Sequence, residues 1–208
     1  MDVAAKKLIE TGRMGPFAGF LVLRTDARAS RAIVLDPRGR KMTLHDGRSG
    51  RRIAALSSGE RRSRNAAFLG DGRIAQVESS DTGTRVRLFS SDGEEQRMVP
   101  IRFGPGWRIG LGGEILPGVV AVAVRSETAD WKDSECLLVD ARTGQTRTIG
   151  EHLFPAVAMA WWGRHDPSWY PAAGSEATRL FLDAGGSLIH FDASTGERRV
   201  ILAGRPSP

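Results

Sequence analysis

From Phe20 onward the chain alternates between short apolar runs and clusters of Gly, Asp, Ser and Pro, the pattern of strands punctuated by turns. Phe20-Leu21-Val22-Leu23, Arg31 to Leu35, Lys41 to His45 and Arg51 to Leu56 read as four strands, separated by Asp36-Pro37-Arg38-Gly39 and Asp46-Gly47-Arg48-Ser49-Gly50. The order then repeats. Asn65 to Ala75 supplies a strand, an Asp71-Gly72 turn and a second strand; Arg85 to Phe89 and Gln96 to Ile101 follow around Ser90-Ser91-Asp92-Gly93. A third set runs Trp107 to Leu111, Val119 to Val124, Cys136 to Val139 and Thr146 to Ile149. The fourth runs Ala156 to Trp162, Arg179 to Asp183, Leu188 to Phe191 and Arg198 to Leu202.

One hairpin recurs in these sets. Asp140-Ala141-Arg142-Thr143-Gly144 and Asp192-Ala193-Ser194-Thr195-Gly196 share the form Asp-x-x-Thr-Gly, and Asp46 to Gly50 matches it with Ser for Thr. Asp accepts backbone N–H bonds inside the turn, and Gly takes the positive-φ position that closes it. Aligning Gly50, Gly93, Gly144 and Gly196 gives intervals of 43, 51 and 52 residues, the spacing of four-stranded propeller blades. The second set departs: Phe89 stands where the others carry Asp, so its hairpin is expected to be one residue shorter or differently bent.

Asn65 to Ala75 resembles the strand and Asp-Gly turn of TolB-type and WD-repeat-like propellers, and the Asp-x-x-Thr-Gly hairpins resemble those of the wider propeller superfamily. The resemblance covers most of residues 17–202 and implies an all-β, propeller-like array of about four four-stranded antiparallel blades. There is no paired Gly-His and Trp-Asp as in true WD repeats, and no Trp follows the Thr-Gly turns as in quinoprotein blades, so no quinone is implied. The expected blades are about 17–57, 64–102, 105–150 and 155–203. A leader, 1–16, precedes them and a tail, 205–208, follows. Four blades form either a small ring or an arc of a larger one. The arc is favoured here, because Val3 to Glu10 reads as the last strand of a preceding blade as well as it reads as a short helix. An arc would expose apolar faces at both ends and call for self-association or a protein partner.

Composition narrows the setting. The 208 residues are 40% apolar, enough for a real core, and no run approaches the ~20 residues of a membrane span. The first residues lack a secretory pattern and Cys136 is the only cysteine, so the cytoplasm is the expected compartment, unless the chain is part of a longer one. Formal charge is +6, with 26 of the 30 basic residues Arg. These are spread along the chain among acidic residues, which does not point to nucleic acid.

The sharpest break in the repeat is Trp161-Trp162-Gly163-Arg164-His165-Asp166-Pro167-Ser168-Trp169-Tyr170-Pro171, with three of the five Trp and the only Tyr. Trp161, Trp162, Arg164, His165, Asp166, Trp169 and Tyr170 are the candidate ligand or partner residues, since aromatics beside polar groups build such sites. Alternatively these rings finish a strand and plug a gap between blades. Arg51, Arg52, Arg61, Arg62 and Arg64 form the densest basic patch, without the interleaved aromatics that stack on bases. His45, His152, His165 and His190 have no ligand spacing, so no metal is expected. Gly104, Gly106, Gly110, Gly112 and Gly113 lack the pattern of a phosphate loop and read as an interblade crossing with close backbone packing, so no cofactor is expected either. Gly-x-Ser-x-Gly is absent and Cys136 opens an apolar strand, where burial is its expected fate. The leading functional expectation is a non-catalytic module that binds a protein partner or supports another domain. The alternatives are an enzyme or small-ligand propeller with its site at the ring mouth, and nucleic-acid binding through the basic patch.

Overall fold

The computed structural model describes residues 21–26, 28, 30–35, 41–56, 62–80, 83–101, 107–126, 135–151, 153–155, 179–183 and 186–204. The first blade is β1 (Leu21–Thr25), β2 (Arg31–Leu35), β3 (Met42–Asp46) and β4 (Arg52–Ala55). The second is β5 (Arg62–Phe68), β6 (Ile74–Ser80), β7 (Gly83–Phe89) and β8 (Glu95–Ile101). The third is β9 (Trp107–Leu116), β10 (Val119–Ser126), β11 (Glu135–Asp140) and β12 (Thr146–Glu151). The fourth is β13 (Phe154–Pro155), β14 (Leu180–Leu182), β15 (Leu188–Phe191) and β16 (Arg198–Leu202). Each sheet is an antiparallel meander in which strands adjacent in sequence are adjacent in space. No described helix is long and apolar enough to cross a membrane.

The central strands of the second and third blades are apolar on both faces because each of these blades is sandwiched between two others. In β10, Val120, Val122 and Val124 face the second blade while Ala121 and Ala123 face the fourth, and all five are fully buried. Three cores result. Ile33, Met42, Leu44 and Leu56 of the first blade meet Ala66, Phe68, Ile74 and Phe89 of the second. Ala75, Val77, Val86, Leu88 and Val99 of the second meet Leu111, Val120, Val122 and Val139 of the third. Ala121, Cys136, Leu138 and Ile149 of the third meet Phe181, Ile189 and Phe191 of the fourth, where the two Phe rings pack edge to face at 5.6 Å. Among the described residues each core joins blades consecutive in sequence, and none joins the fourth blade to the first. The described residues therefore form a series of four propeller-type blades, with Ala32 and Val34 also buried on the face of the first blade turned away from the second.

The recurrent hairpin is built as its residues predict. Oδ1 of Asp46 accepts the Ser49 N–H at 2.7 Å, Oδ1 of Asp140 the Arg142 and Thr143 N–H groups at 2.7 and 2.8 Å, and Oδ1 of Asp192 the Ser194 N–H at 2.8 Å. In each, the Gly N–H returns to the Asp carbonyl four residues back, and the Gly φ is 70°, 76° and 79°. The second blade's turn is one residue shorter: Gly93 N–H bonds the Ser90 carbonyl, and Ser90 Oγ accepts the Glu94 N–H at 3.1 Å in place of the carboxylate. The first strand of the fourth blade, expected over Ala156–Trp162, is described at Phe154–Pro155, and the expected stretch itself lies outside the described residues. Meanwhile β9 runs past Leu111 through Gly112 and Gly113. Gly112 is required there, because a Cβ would lie 2.6 Å from that of Pro155 on β13.

The three turn carboxyls all sit below the usual aspartate pKa: for Asp140 the Thr143 N–H bond is the main cause, for Asp46 the Ser49 N–H bond, and for Asp192 the Ser194 hydroxyl. A lowered folded-state pKa gives stability that is present above the unfolded value and lost as the pH falls through the folded one. The urea midpoint is therefore expected to drop as the pH goes below about 3.9, and Asp140→Asn should flatten that drop; an unchanged acid limb in the variant would remove the turn from the account. A second test compares two glycines of positive φ. Gly186→Ala, which meets open space at φ 78°, should cost about 1–2 kcal/mol. Gly93→Ala should cost ~1–3 kcal/mol more, because its Cβ would lie 2.4 Å from that of Ala54. Equal losses in denaturant titrations would show that the blade contact at Gly93 yields freely.

Candidate functional site

The strongest grouping of charge among the described residues lies at the seam between the first and second blades. Antiparallel pairing sets Glu78 on β6 directly opposite Arg85 on β7, and Gln76 opposite Arg87, all on the face turned to the first blade. Glu78 is 1% exposed. Its Oε2 accepts Arg85 Nε at 2.8 Å and Nη2 at 2.7 Å, and its Oε1 accepts Arg87 Nη1 at 2.9 Å. Arg87 also bonds Glu95 and donates to the Leu56 carbonyl of the first blade at 2.9 Å, with its guanidinium 4.8 Å from the Phe89 ring centroid. Burial works to lower the Arg87 pKa, but the Glu95 hydrogen bond and the Glu78 charge outweigh it, so the group is held above its usual value. With two carboxylates facing two guanidiniums and both Glu78 oxygens engaged, the cluster is suited to holding a seam.

Arginine does similar work at every seam. Arg31 Nη1 donates to the carbonyls of Gly72 and Ser91 in the second blade at 3.2 and 2.6 Å. Arg73 Nη1 reaches the Ala141 carbonyl in the third blade at 3.0 Å, and Arg97 Nη1 the Thr143 carbonyl at 2.7 Å. Arg147 Nη2 reaches the Ala193 carbonyl of the fourth blade at 2.9 Å, and Arg198 Nη2 returns to the Ile149 carbonyl of the third at 2.6 Å. Most of these acceptors lie in the tips of the third-to-fourth-strand hairpins. A planar fork with several donors on a long stem suits two carbonyls on a neighbouring sheet better than an ammonium does, which gives the chain's preference for Arg over Lys a structural use. A buried carboxylate does the complementary job: Glu114, 3% exposed, accepts the Gly70 N–H of the second blade at 2.6 Å and the Gly118 N–H of its own hairpin at 2.7 Å.

The sequence-derived candidates fall unevenly on this frame. Trp161, Trp162, Arg164, His165, Asp166, Trp169 and Tyr170 lie outside the described residues, as does Arg61. Arg62 and Arg64 fall on β5, while Arg51 and Arg52 are exposed at the start of β4. Cys136 is fully buried, and desolvation pushes its thiol pKa far up, which makes it an inert packing group. No group of three His, Cys, Asp or Glu among the described residues is placed to hold a metal ion. Glu78, Glu114 and the seam arginines escaped the sequence reading because their partners are backbone atoms or lie on other strands, where no motif marks them.

No protein-family model matches the chain, and no curated protein does. Solved structures do. Dipeptidyl peptidase 4 of Porphyromonas gingivalis is similar over 83% of this chain and 24% of its own, at 14% identity and a TM-score of 0.52. Regucalcin of Agrobacterium tumefaciens, a calcium-binding protein, is similar over 88% of this chain and 62% of its own, at 16% identity and a TM-score of 0.46. YCF48 bound to D1 peptide matches 62% of this chain and 39% of its own, at 10% identity and a TM-score of 0.43. These are β-propeller proteins, and at such identities the likeness is one of fold. The chain spans less than two thirds of the length of each.

Removing one member of the Glu78 cluster should open the first seam. Arg87→Ala strands a buried carboxylate on Arg85 alone and is expected to cost about 3 kcal/mol, with Arg87→Lys recovering only part because an ammonium cannot fork to Glu95, Glu78 and the Leu56 carbonyl together. Thermal denaturation of the two variants checks this. Full recovery by Lys would mean that charge alone, without geometry, holds the seam.

Proposed function

We propose that the chain is a non-catalytic propeller-repeat module, kin to TolB-type and WD-repeat-like propellers, whose task is to bind protein or support another domain, in the cytoplasm. The observation that carries this reading is the fourth blade's outer strand. Val200, Ile201 and Leu202 are 59%, 47% and 67% exposed, one continuous apolar strip on a sheet edge. Sheet edges that stay solvated are normally blunted by charge, Pro or bulges. The outer strand β8 carries Glu95, Arg97 and Pro100, and β12 carries Arg147 and Glu151, whereas the far half of β16 is aliphatic. The seam arginines support the same reading, since Arg31, Arg73, Arg87 and Arg147 are engaged with carbonyls of neighbouring blades. The aromatic segment from Trp161 to Tyr170 is a second proposed contact, supported by its composition alone.

Purified chain is expected to turn over ester, peptide-anilide and phosphate-monoester substrates no faster than buffer does. Reproducible turnover abolished by one substitution would replace this reading with the enzyme alternative. Retention on a nucleic-acid matrix that is lost on reversing Arg51, Arg52, Arg61, Arg62 and Arg64 would favour the third.

A further inference from the structure

Leu56, Val99, Ile149 and Leu202 hold the same place in the four blades: the outer strand or its end, facing the blade that follows. Leu202 lies opposite Leu188, on the face away from Ile189 and Phe191, which pack on the third blade. The first three are 0%, 4% and 8% exposed, and Leu202 is 67% exposed. The rest of that face, Leu180, Leu182, Leu188 and His190, is partly exposed, whereas the counterparts of Leu188 and His190 in the other blades, Met42 and Leu44, Val86 and Leu88, Cys136 and Leu138, are buried. The fourth blade therefore carries the leading face of a blade without the cover that the other three leading faces receive.

The register also shows what kind of surface covers such a face. Arg97 lies opposite Leu88 and Arg147 opposite Leu138, and each reaches a hairpin-tip carbonyl of the next blade. Arg199 lies opposite His190 in the same register and is exposed. In the reverse direction, Arg198, opposite Phe191, donates to the carbonyl of Ile149 on the preceding blade. Arg52, opposite His45, holds that same register position in the first blade and is also exposed. Both halves of the reciprocal clasp are thus present, one at each end of the chain. The first blade also offers the hairpin Asp46 to Gly50, built like the two that receive Arg97 and Arg147, with Ile53 40% exposed beside it.

From this we infer that the fourth blade docks head to tail on the first blade of a second copy of the chain. Arg199 of one copy takes the hairpin-tip carbonyls of residues 47–49 of the other, Arg52 of the other takes the Leu202 carbonyl of the first, and Leu202 and Ile53 lose their exposure between them. The first blade's inner positions, Ala32 and Val34, are already buried, so the contact is centred on the outer strands β16 and β4. Two copies joined twice in this manner close on each other as a cyclic pair, with the head of each on the tail of the other. The inference rests on the protein-binding reading and names its partner as the chain itself.

The test is the mass of the full chain in solution by light scattering across a concentration series, with three variants: Arg52→Glu at the head, Arg199→Glu at the tail, and Leu202→Glu. The wild type is expected at twice the single-chain mass. Each variant should weaken association about tenfold or more while leaving the thermal midpoint of the monomer near the wild type, since all three side chains are exposed. Mixing the Arg52→Glu and Arg199→Glu chains should restore association in part, because one intact interface forms between them; a symmetric contact would not be rescued. A wild type that stays monomeric at every concentration, or an oligomer that none of the variants weakens, overturns the inference. A monomer that still lacks turnover leaves the protein-binding reading standing, whereas an active enzyme that dimerises as described would sink that reading and keep the contact.

Discussion

A four-stranded sheet of short strands has two apolar faces and no means of covering either by itself. Everything else in this chain follows from that constraint. The central strands carry apolar residues at successive positions because both faces are dry, as in β10, where Val faces the second blade and Ala the fourth. The glycines that cannot be replaced lie where a neighbouring blade comes closest, Gly93 against Ala54 and Gly112 against Pro155. Apolar contact alone is non-directional and would let the blades slide. The arginines supply direction, because each fork must find particular carbonyls on a particular hairpin.

Much of the architecture was legible in the sequence for a local reason. A turn of the form Asp-x-x-Thr-Gly makes its hydrogen bonds within five residues, so the residues that build it stand side by side and recur in register. The shortened turn at Gly93 followed from the same logic, since Phe89 cannot cap backbone N–H groups. Local logic failed where tertiary contact decided. Gly112 and Gly113 read as part of an interblade crossing with close backbone packing; the close packing is there, Gly112 against Pro155, but β9 continues through both glycines instead of crossing.

The seam chemistry was illegible for the converse reason. Its acceptors are backbone carbonyls 31 to 68 residues away, and a carbonyl leaves no mark in a sequence because every residue has one. An Arg that clasps a neighbouring blade is spelled the same as one on a solvated loop, which is why the excess of Arg looked uninformative. Register separates the two: Arg97 and Arg147 occupy one position and act alike, and Arg52 shares its position with Arg198. The same comparison sets the fourth blade apart, since Leu202 alone among its counterparts stands in solvent.

The claim at the centre of this account is that a blade is completed only by its neighbour. Amide hydrogen exchange, followed strand by strand at low and high protein concentration, tests it most directly. The account predicts strongest protection in β10 and β11, weakest in β15 and β16, and a rise in protection at β16 and β4 alone as the concentration increases. Protection that is uniform across the four blades and indifferent to concentration would contradict it.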